Sequence, residues 1–493
     1  MLEDEKMAKV MTLDKALEYG LKFAQKKGAE EVECYAINSK EIGIGMEKSI
    51  PNIVTGVSTG ISIRVVVNNN TGFGFTKTLT TDRLESTIKT AIQNAKSKGK
   101  DPDFKSLPLP SKKPVTKMEF DKTLDNLSSD TIADELLGII DEINDVKGMN
   151  YLQGQIFTNT ADEHLVNTNG IDVKTKFGGI GGYAAAITTK GLIPNYAFGI
   201  KGGPTLKDFQ FNDIAKETIL QTKKATAPKT MNFTKEVPLI LEPVAAFGLL
   251  GGLLGLLIGQ LQGDNIARGA SPYADQVGNV VASKNLTVID NGINSTKINR
   301  SMYDGEGLPK EKTILIDKGI LQTYLLDNYY GNKLGLESNG KSARVGIVGF
   351  GGDPVKTYPR ISSTTIEVEL GDVSKDEMIA ETKEGFMVRS LMGLHMSDRS
   401  SGRFSITGFG WYIKNGEIQY PVQGLDISGM LPDLLKEIDM ISKERESLLL
   451  ADCPYIRFSN VSITAKRFDF KTRLQLAILK LITFFTGKHP LVA

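Results

Sequence analysis

The sequence predicts an α+β protein of more than one domain. Three observations lead there. Strand-like alternation recurs along most of the chain. Helical spacing is confined to a few segments. A single apolar, glycine-rich stretch separates two differently patterned halves. At 493 residues there is room for two or three domains.

The first helix follows Thr12, a residue type suited to an N-cap, and carries Leu13, Ala16, Leu17, Leu21 and Ala24 at helical spacing up to Gly28. Val32, Cys34 and Ala36 then alternate with polar residues, as do Ile42, Ile44 and Met46, and Ile61, Ile63 and Val65. These read as half-buried strands of a meander, with a turn at Asn68–Gly72. A second helix starts near Thr81 and buries Leu84, Ile88, Ala91 and Ala95. Lysines and prolines dominate from Ser97 to Pro114, as expected of a surface connection.

The pattern then repeats. A helix after Ser129 carries Ile132, Leu136, Ile139 and Ile143. Strands follow at Leu152–Thr158 and His164–Val166, then an Asn169-Gly170 turn into Ile171–Lys176, then Tyr183–Thr188 and Tyr196–Ile200. A helix over Asp213–Lys223 closes the unit. Helix, meander, helix therefore occurs twice. This predicts two similarly built lobes, 12–97 and 115–235, in an N-terminal region 12–235.

The dividing stretch runs from Glu236 to Ser271. Val237–Leu241 reads as a strand, and Pro243 suits a first helical turn, where its missing N–H costs nothing. Val244–Gly259 is apolar on all sides, as in a core helix or a membrane span. A span needs ~20 apolar residues; this stretch is shorter and rich in glycine, so a core helix is expected. Gly251, Gly255 and Gly259 share one face, which predicts close approach of another backbone.

The C-terminal half, 236–466, continues in short strands. These are Leu286–Ile289, Thr313–Ile316 paired with Leu321–Leu326 across Lys318-Gly319, Thr364–Leu370, Gly385–Met392, Phe404–Ile413, Glu417–Ile427 across Asn415-Gly416, and Tyr455–Thr464. One helix is expected over Leu431–Ile441. Hairpins dominate, so the sheet should be mostly antiparallel. The tail, 467–493, is basic and apolar, with Leu474, Ile478, Leu481 and Phe485 at helical spacing. Own-body packing, a partner or membrane surface, and a loosely held end all fit it.

Composition narrows the chemistry. A net charge of +1 argues against a nucleic-acid-binding surface spread over the chain. Two cysteines, Cys34 and Cys453, make no disulfide framework, and Met1–Met11 lacks an apolar leader core. A cytoplasmic protein is the expectation. With His164, His395 and His489 as the only histidines, no helix can supply a two-histidine metal motif. The glycine clusters Gly178–Gly182 and Gly349–Gly352 lack the context and the lysine-hydroxyl pair of a phosphate loop. His395 lies three residues before Asp398 in a polar loop, a pairing able to shuttle a proton. Two ligands are too few for catalytic zinc, which takes three from the protein. A structural or peptide-contacting histidine is the simpler reading.

Several short stretches occur together in a particular order. They are Gln262-Gly263-Asp264, Arg268-Gly269-Ala270-Ser271, Tyr358-Pro359-Arg360-Ile361-Ser362, Asn415-Gly416-Glu417-Ile418 and Tyr420-Pro421-Val422. Ser401-Gly402-Arg403-Phe404-Ser405 is close to a Ser-Gly-Asp-Phe-Ser pattern, with Arg403 departing from it. In these the chain resembles the TldD/TldE family, whose TldE members are also called PmbA or modulators of DNA gyrase. Gly60–Val67 fits the N-terminal half more loosely, and the resemblance spans most of 12–466.

The resemblance implies a two-subunit zinc protease that accepts extended or unfolded peptides. Its TldD subunit carries His-Glu-x-x-x-His on the helix before Gly-Asp. Here those positions hold Leu254, Gly255 and Gly259. The family's third ligand, a cysteine in Cys-Gly-Lys, has no counterpart at Cys453, which Pro454-Tyr455 follow. The resemblance therefore implies a TldE-like subunit with no catalytic or metal-ligating residue of its own, and with zinc held by a TldD-like partner. His395, Asp398 and Arg360 are the candidate peptide contacts. A stand-alone peptide-binding or regulatory protein, and a peptidase with an unrecognised site near His395, are the alternatives.

Overall fold

The computed structural model describes residues 10–47, 49–188, 195–247, 252–344, 352–469, 471 and 475. Helix α1 (Leu13–Lys26) precedes strands β1 (Glu31–Glu47), β2 (Ile50–Val67) and β3 (Asn70–Thr76) and helix α2 (Thr81–Ser97). The second unit comprises α3 (Ser129–Asn144), β4 (Met149–Asn167), β5 (Asp172–Thr188), β6 (Asn195–Gly203) and α4 (Asn212–Lys224). The two units share one six-stranded sheet in the order β3-β2-β1-β4-β5-β6, joined where β1 and β4 pair antiparallel from Glu33 opposite Asn167 to Glu47 opposite Gln153.

The strands are longer than their alternation suggested. Val32–Ala36 and Ile42–Met46 belong to one continuous β1, and Ile171–Lys176 and Tyr183–Thr188 lie in one β5. Alternation divides the faces of β1. Val32, Cys34 and Ala36 join Ile61, Ile63 and Val65 under Leu17, Leu84 and Ile88 of the two helices. Tyr35 and Ile37 point the other way and pack with Val355 of the C-terminal half. His164 is held between Asp14 and Asp172, each at 2.8 Å.

The C-terminal half begins with β7 (Phe233–Leu241), α5 (Pro243–Phe247), α6 (Gly252–Gln260) and α7 (Gly263–Ala267). Then come β8 (Val288–Asn291), β9 (Lys312–Asp317), β10 (Ile320–Leu321), α8 (Asn328–Leu334), β11 (Ser342–Ala343), β12 (Arg360–Ile361) and β13 (Ile366–Val368). The last elements are α9 (Lys375–Ala380), β14 (Glu384–Met392), β15 (Arg403–Lys414), β16 (Glu417–Met430), β17 (Ile438–Ser447) and β18 (Ala451–Ala465). Strands β7, β14, β15, β16 and β18 pair in a closed circuit, antiparallel except for β7 with β14. Lys318-Gly319 and Asn415-Gly416 make tight turns with positive φ at both residues, the conformation a two-residue hairpin needs.

Two expectations fail here. Leu431–Ile441 is not one helix: only Leu431–Leu434 is α-helical, and Ile438 and Ile441 lie in β17 opposite Phe458 and Ile456. The spacing of Leu431, Leu434, Leu435 and Ile438 suits a helix, but pairing with β18 gives the last of these a strand partner. Similarly, only Ile320 and Leu321 pair with β9, while Leu325 leaves that sheet and donates its N–H to Leu261 O.

Where it is described, the apolar helical part of the dividing stretch is buried as expected. Pro243 through Phe247 and Leu253, Leu254, Leu256, Leu257 and Ile258 sit in or against the C-terminal core, although the segment is long and apolar enough to pass as a span. The glycine face does not behave as expected. A Cβ on Gly255 or Gly259 would meet nothing within 4 Å among the described residues, so no described backbone closes on these positions; Gly251 lies outside the described residues. Gly255→Ala is therefore expected to keep the fold and raise stability by up to ~1 kcal/mol, the helix-propensity difference alone. Urea denaturation of the two proteins checks this, and a loss of stability would mean that the face is covered. The tail expectation falls almost wholly outside the described residues; Arg467 and Phe468 tie its start to Asn232 and Thr230.

Candidate functional site

Motif stretches far apart in sequence converge on a cleft of about 760 Å³ between the N-terminal sheet and the C-terminal domain. Gln262 and Asp264 enter from the start of α7, and Tyr358, Pro359, Arg360 and Ile361 from the approach to β12 and β12 itself. The N-terminal half contributes Asn70 and Thr71 of β3 and Lys98 just beyond α2. Tyr329 and Tyr330 of α8 complete an aromatic wall. Tyr358 joins the two halves: its ring stands edge-on to Phe73 at 5.6 Å, and its hydroxyl lies 3.2 Å from Thr71 Oγ1.

The floor of the cleft is ionic. Arg64 donates to Glu33 at 2.6 Å and to Glu306 at 2.8 Å, and Arg344 pairs with the other oxygen of Glu33. All four side chains are buried. Arg344 also donates to Gly305 O, and Glu306 accepts from the Asn328 N–H. Isolated charges here would be prohibitive; paired and hydrogen-bonded, they tie β1 and β2 to three segments of the C-terminal domain. Burial, with the nearby Glu306 carboxylate second, pushes Asp304 and Asp327 up to about 7.

Several polar groups of the cleft are not fully paired among the described residues. Asp264 accepts from Arg268 at 2.8 Å through one oxygen, while its buried Oδ1 has no partner. Arg64 Nε is likewise unpartnered. Arg360 is exposed, and no hydrogen bond or ion pair holds its side chain among the described residues. The cleft thus presents a partly exposed carboxylate, an exposed guanidinium and aromatic faces, a combination suited to a polar backbone carrying side chains.

The three candidate contacts are not brought together. Arg360 lines the cleft. His395 sits exposed in the 3-10 turn Leu394–Met396 that packs near α6. Asp398 accepts from the Ser401 hydroxyl at 2.6 Å and the Ser400 N–H at 2.9 Å, bonds that shape its own loop and hold its carboxyl below the usual range. Neither His395 nor Asp398 lines the cleft. Sequence reasoning missed Glu33, Arg64, Glu306 and Arg344. For Glu33 and Arg64 the available signal was weak, a charge on the alternate face of a strand whose other face is apolar; Glu306 and Arg344 lie outside the strands and carry no such signal.

Metal chemistry is poorly served by these side chains. Among the described residues no group of three or more His, Cys, Asp or Glu could hold an ion. Leu254, Gly255 and Gly259 carry no donor atoms. Cys453 is fully buried, and burial raises its thiol far above the usual range, disfavouring the thiolate a metal needs. The residues present do not fit zinc.

Comparison with known proteins identifies the architecture. Residues 234–465 match the PmbA/TldA metallopeptidase C-terminal domain, and residues 32–95 match PmbA/TldA metallopeptidase domain 1. The chain belongs to the PmbA/TldD family. An uncharacterized protein of Methanocaldococcus jannaschii is 24% identical over 423 residues, 85% of this chain and 93% of that protein. Metalloprotease PmbA of Escherichia coli O157:H7 is 26% identical over 273 residues, 55% of each chain. The crystal structure of TldE from Thermococcus kodakarensis superposes with a TM-score of 0.79 at 24% identity, covering 91% of this chain and all of that one. The protein is thus PmbA/TldD metallopeptidase-like in sequence and fold.

Proposed function

We propose that this chain is the non-catalytic, TldE/PmbA-like subunit of a heteromeric zinc peptidase acting on extended or unfolded peptides in the cytoplasm. The observation that carries the reading is the contrast between two neighbouring parts. On α6, the positions where the family resemblance implies metal ligands hold Leu254, Gly255 and Gly259. Just beyond that helix, the Gly263-Asp264 and Tyr358–Ile361 motifs still build a complete cleft. A scaffold kept around an apolar helix fits a subunit that holds or positions peptide while a TldD-like partner supplies zinc and the activated water.

The cleft suggests how peptide is held. An extended chain could add to a sheet edge, and β3 is the edge strand nearest the cleft. Two β3 carbonyls are already engaged, Thr71 O by Lys98 and Phe73 O by Asn94. Side chains therefore do most of the holding in this reading: Arg360 and Asp264 on the peptide's polar groups, the tyrosines on its side chains.

The test is cleavage of an unfolded peptide by this chain alone, by a TldD-like partner alone, and by the mixture, each with and without chelator. Activity only in the mixture, abolished by chelator, is the expected result. Chelator-sensitive activity from this chain alone would refute the proposal and return attention to His395. Peptide binding by this chain without any gain in the mixture would favour a stand-alone binding protein.

A further inference from the structure

A second cavity of about 320 Å³ lies on the other side of the ionic floor, between the C-terminal domain and the sheet face formed by β1, β4 and β5. Arg344 lines this cavity, while Arg64 and Glu306 line the cleft. The Arg344–Glu33–Arg64–Glu306 chain thus separates two spaces with different chemistry.

The cavity has an apolar wall and a polar one. Leu165, Val173 and Phe177 of the sheet face Phe247, Ile298 and Leu450 of the C-terminal domain. Lys310, Arg300 and Ser342 also line it. Among the described residues, Lys310 Nζ makes no hydrogen bond and no ion pair, although it is partly buried. Arg300 donates to Glu119 O at 2.8 Å but pairs with no carboxylate among the described residues. Ser342 is 2% exposed, and its Oγ has no partner.

A lysine without a hydrogen bond and an arginine without a carboxylate partner among the described residues, both lining a partly apolar cavity, form an unusual arrangement. Buried polar groups are normally satisfied, and a desolvated lysine normally carries a counterion. The carboxylates at hand are committed. Glu163 takes the Tyr35 hydroxyl, Asp304 accepts three backbone N–H groups, and Asp290 serves Lys341 and the Thr364 and Thr365 N–H groups. Burial lowers Lys310 and raises Glu163; the nearby carboxylates of Asp290, Asp304 and Glu163 offset this for the lysine only in part. Glu163 and Asp304 also line the cavity, which disfavours a multiply charged anion such as phosphate and favours a single negative charge.

We infer that this cavity is a binding site for a small amphipathic monocarboxylate, its carboxylate held by Lys310 and Arg300 and its apolar body against Phe177, Phe247 and Leu450. The volume is at the small end of ligand pockets, ~300–1,000 Å³, so a compact acid rather than a long peptide fits. The site is independent of peptide binding in the cleft, because the ionic chain stands between them.

Titration calorimetry on the full-length protein, with 4-phenylbutyrate and octanoate as probes and 4-phenylbutyramide as the neutral control, tests this. Saturable binding of at least one acid, and none of the amide, is expected. Lys310→Met should weaken that binding by about tenfold or more, the loss of one charge-assisted hydrogen bond. The variant should fold, since it replaces a partly buried lysine that makes no hydrogen bond among the described residues with an apolar chain of similar length; Arg300→Gln is the second variant and should also weaken binding. Absence of binding by both acids, equal binding of acid and amide, or unchanged affinity in both variants would overturn the assignment.

Discussion

Replacing Glu33 with alanine should cost ~3–5 kcal/mol of folding stability, the penalty typical of breaking a buried ion pair by removing one partner. Glu33 is 1% exposed and neutralises two guanidiniums at once, Arg64 at 2.6 Å and Arg344 through its other oxygen. Its removal leaves Arg64 with Glu306 alone and Arg344 with only neutral acceptors, Gly305 O and Ser62 Oγ. Glu33→Gln keeps the shape and some hydrogen bonding but not the charge, and should fall between the alanine variant and the native protein. The damage should concentrate at the domain junction, because each arginine joins the sheet to the C-terminal domain. Urea unfolding followed by fluorescence and by circular dichroism is the measurement. A loss below ~1 kcal/mol, as for a solvated surface pair, would show that the network is not the clamp described here.

Gly72→Ala should be nearly as costly, for a steric reason. A Cβ built on Gly72 falls 1.9 Å from Ala91 O and 2.7 Å from Ala95 N, both backbone atoms of α2. No rotamer change relieves such a contact; the helix must lift from β3. Overpacking of this kind costs ~1–3 kcal/mol and sometimes more, and the upper end is expected because the obstacle is backbone. The displaced helix carries Leu84, Ile88 and Ala91 of the N-terminal core, and Lys98 just past its end reaches the cleft. The variant should therefore lose both stability and peptide affinity. An unchanged unfolding midpoint would mean that α2 does not sit on β3 as described. Gly255→Ala is the internal contrast, since the same added carbon there meets open space.

Local chemistry was legible in the sequence. Helices α1 to α4 appear where apolar residues recur at helical spacing, because that spacing makes an amphipathic face before any partner is known. The Lys318-Gly319 and Asn415-Gly416 turns were equally local, since left-handed backbone is cheapest at Gly and Asn. The burial of Pro243–Phe247 and Gly252–Gln260 followed from a stretch with no polar face. The motif residues identified the family, and two of their stretches supply the cleft with Asp264 and Arg360.

Tertiary structure decided everything that depends on which distant segment arrives opposite a residue. Ile438 and Ile441 became strand because β18 offered an unpaired edge, overriding a helical spacing. The pairing of β1 with β4 merged two repeated units into one sheet, a choice that neither strand's own pattern contains. Glu33 meets Arg344 across 311 residues, and His164 meets Asp14 across 150. The openness around Gly255 and Gly259 was equally invisible, since a glycine's sequence position is the same whether a backbone or solvent fills the space beside it. Periodicity and turn chemistry are properties of a few consecutive residues, so the sequence alone determines them. Ion pairs, cavities and the fit of one face on another are properties of two surfaces, and only the folded chain brings both surfaces into contact.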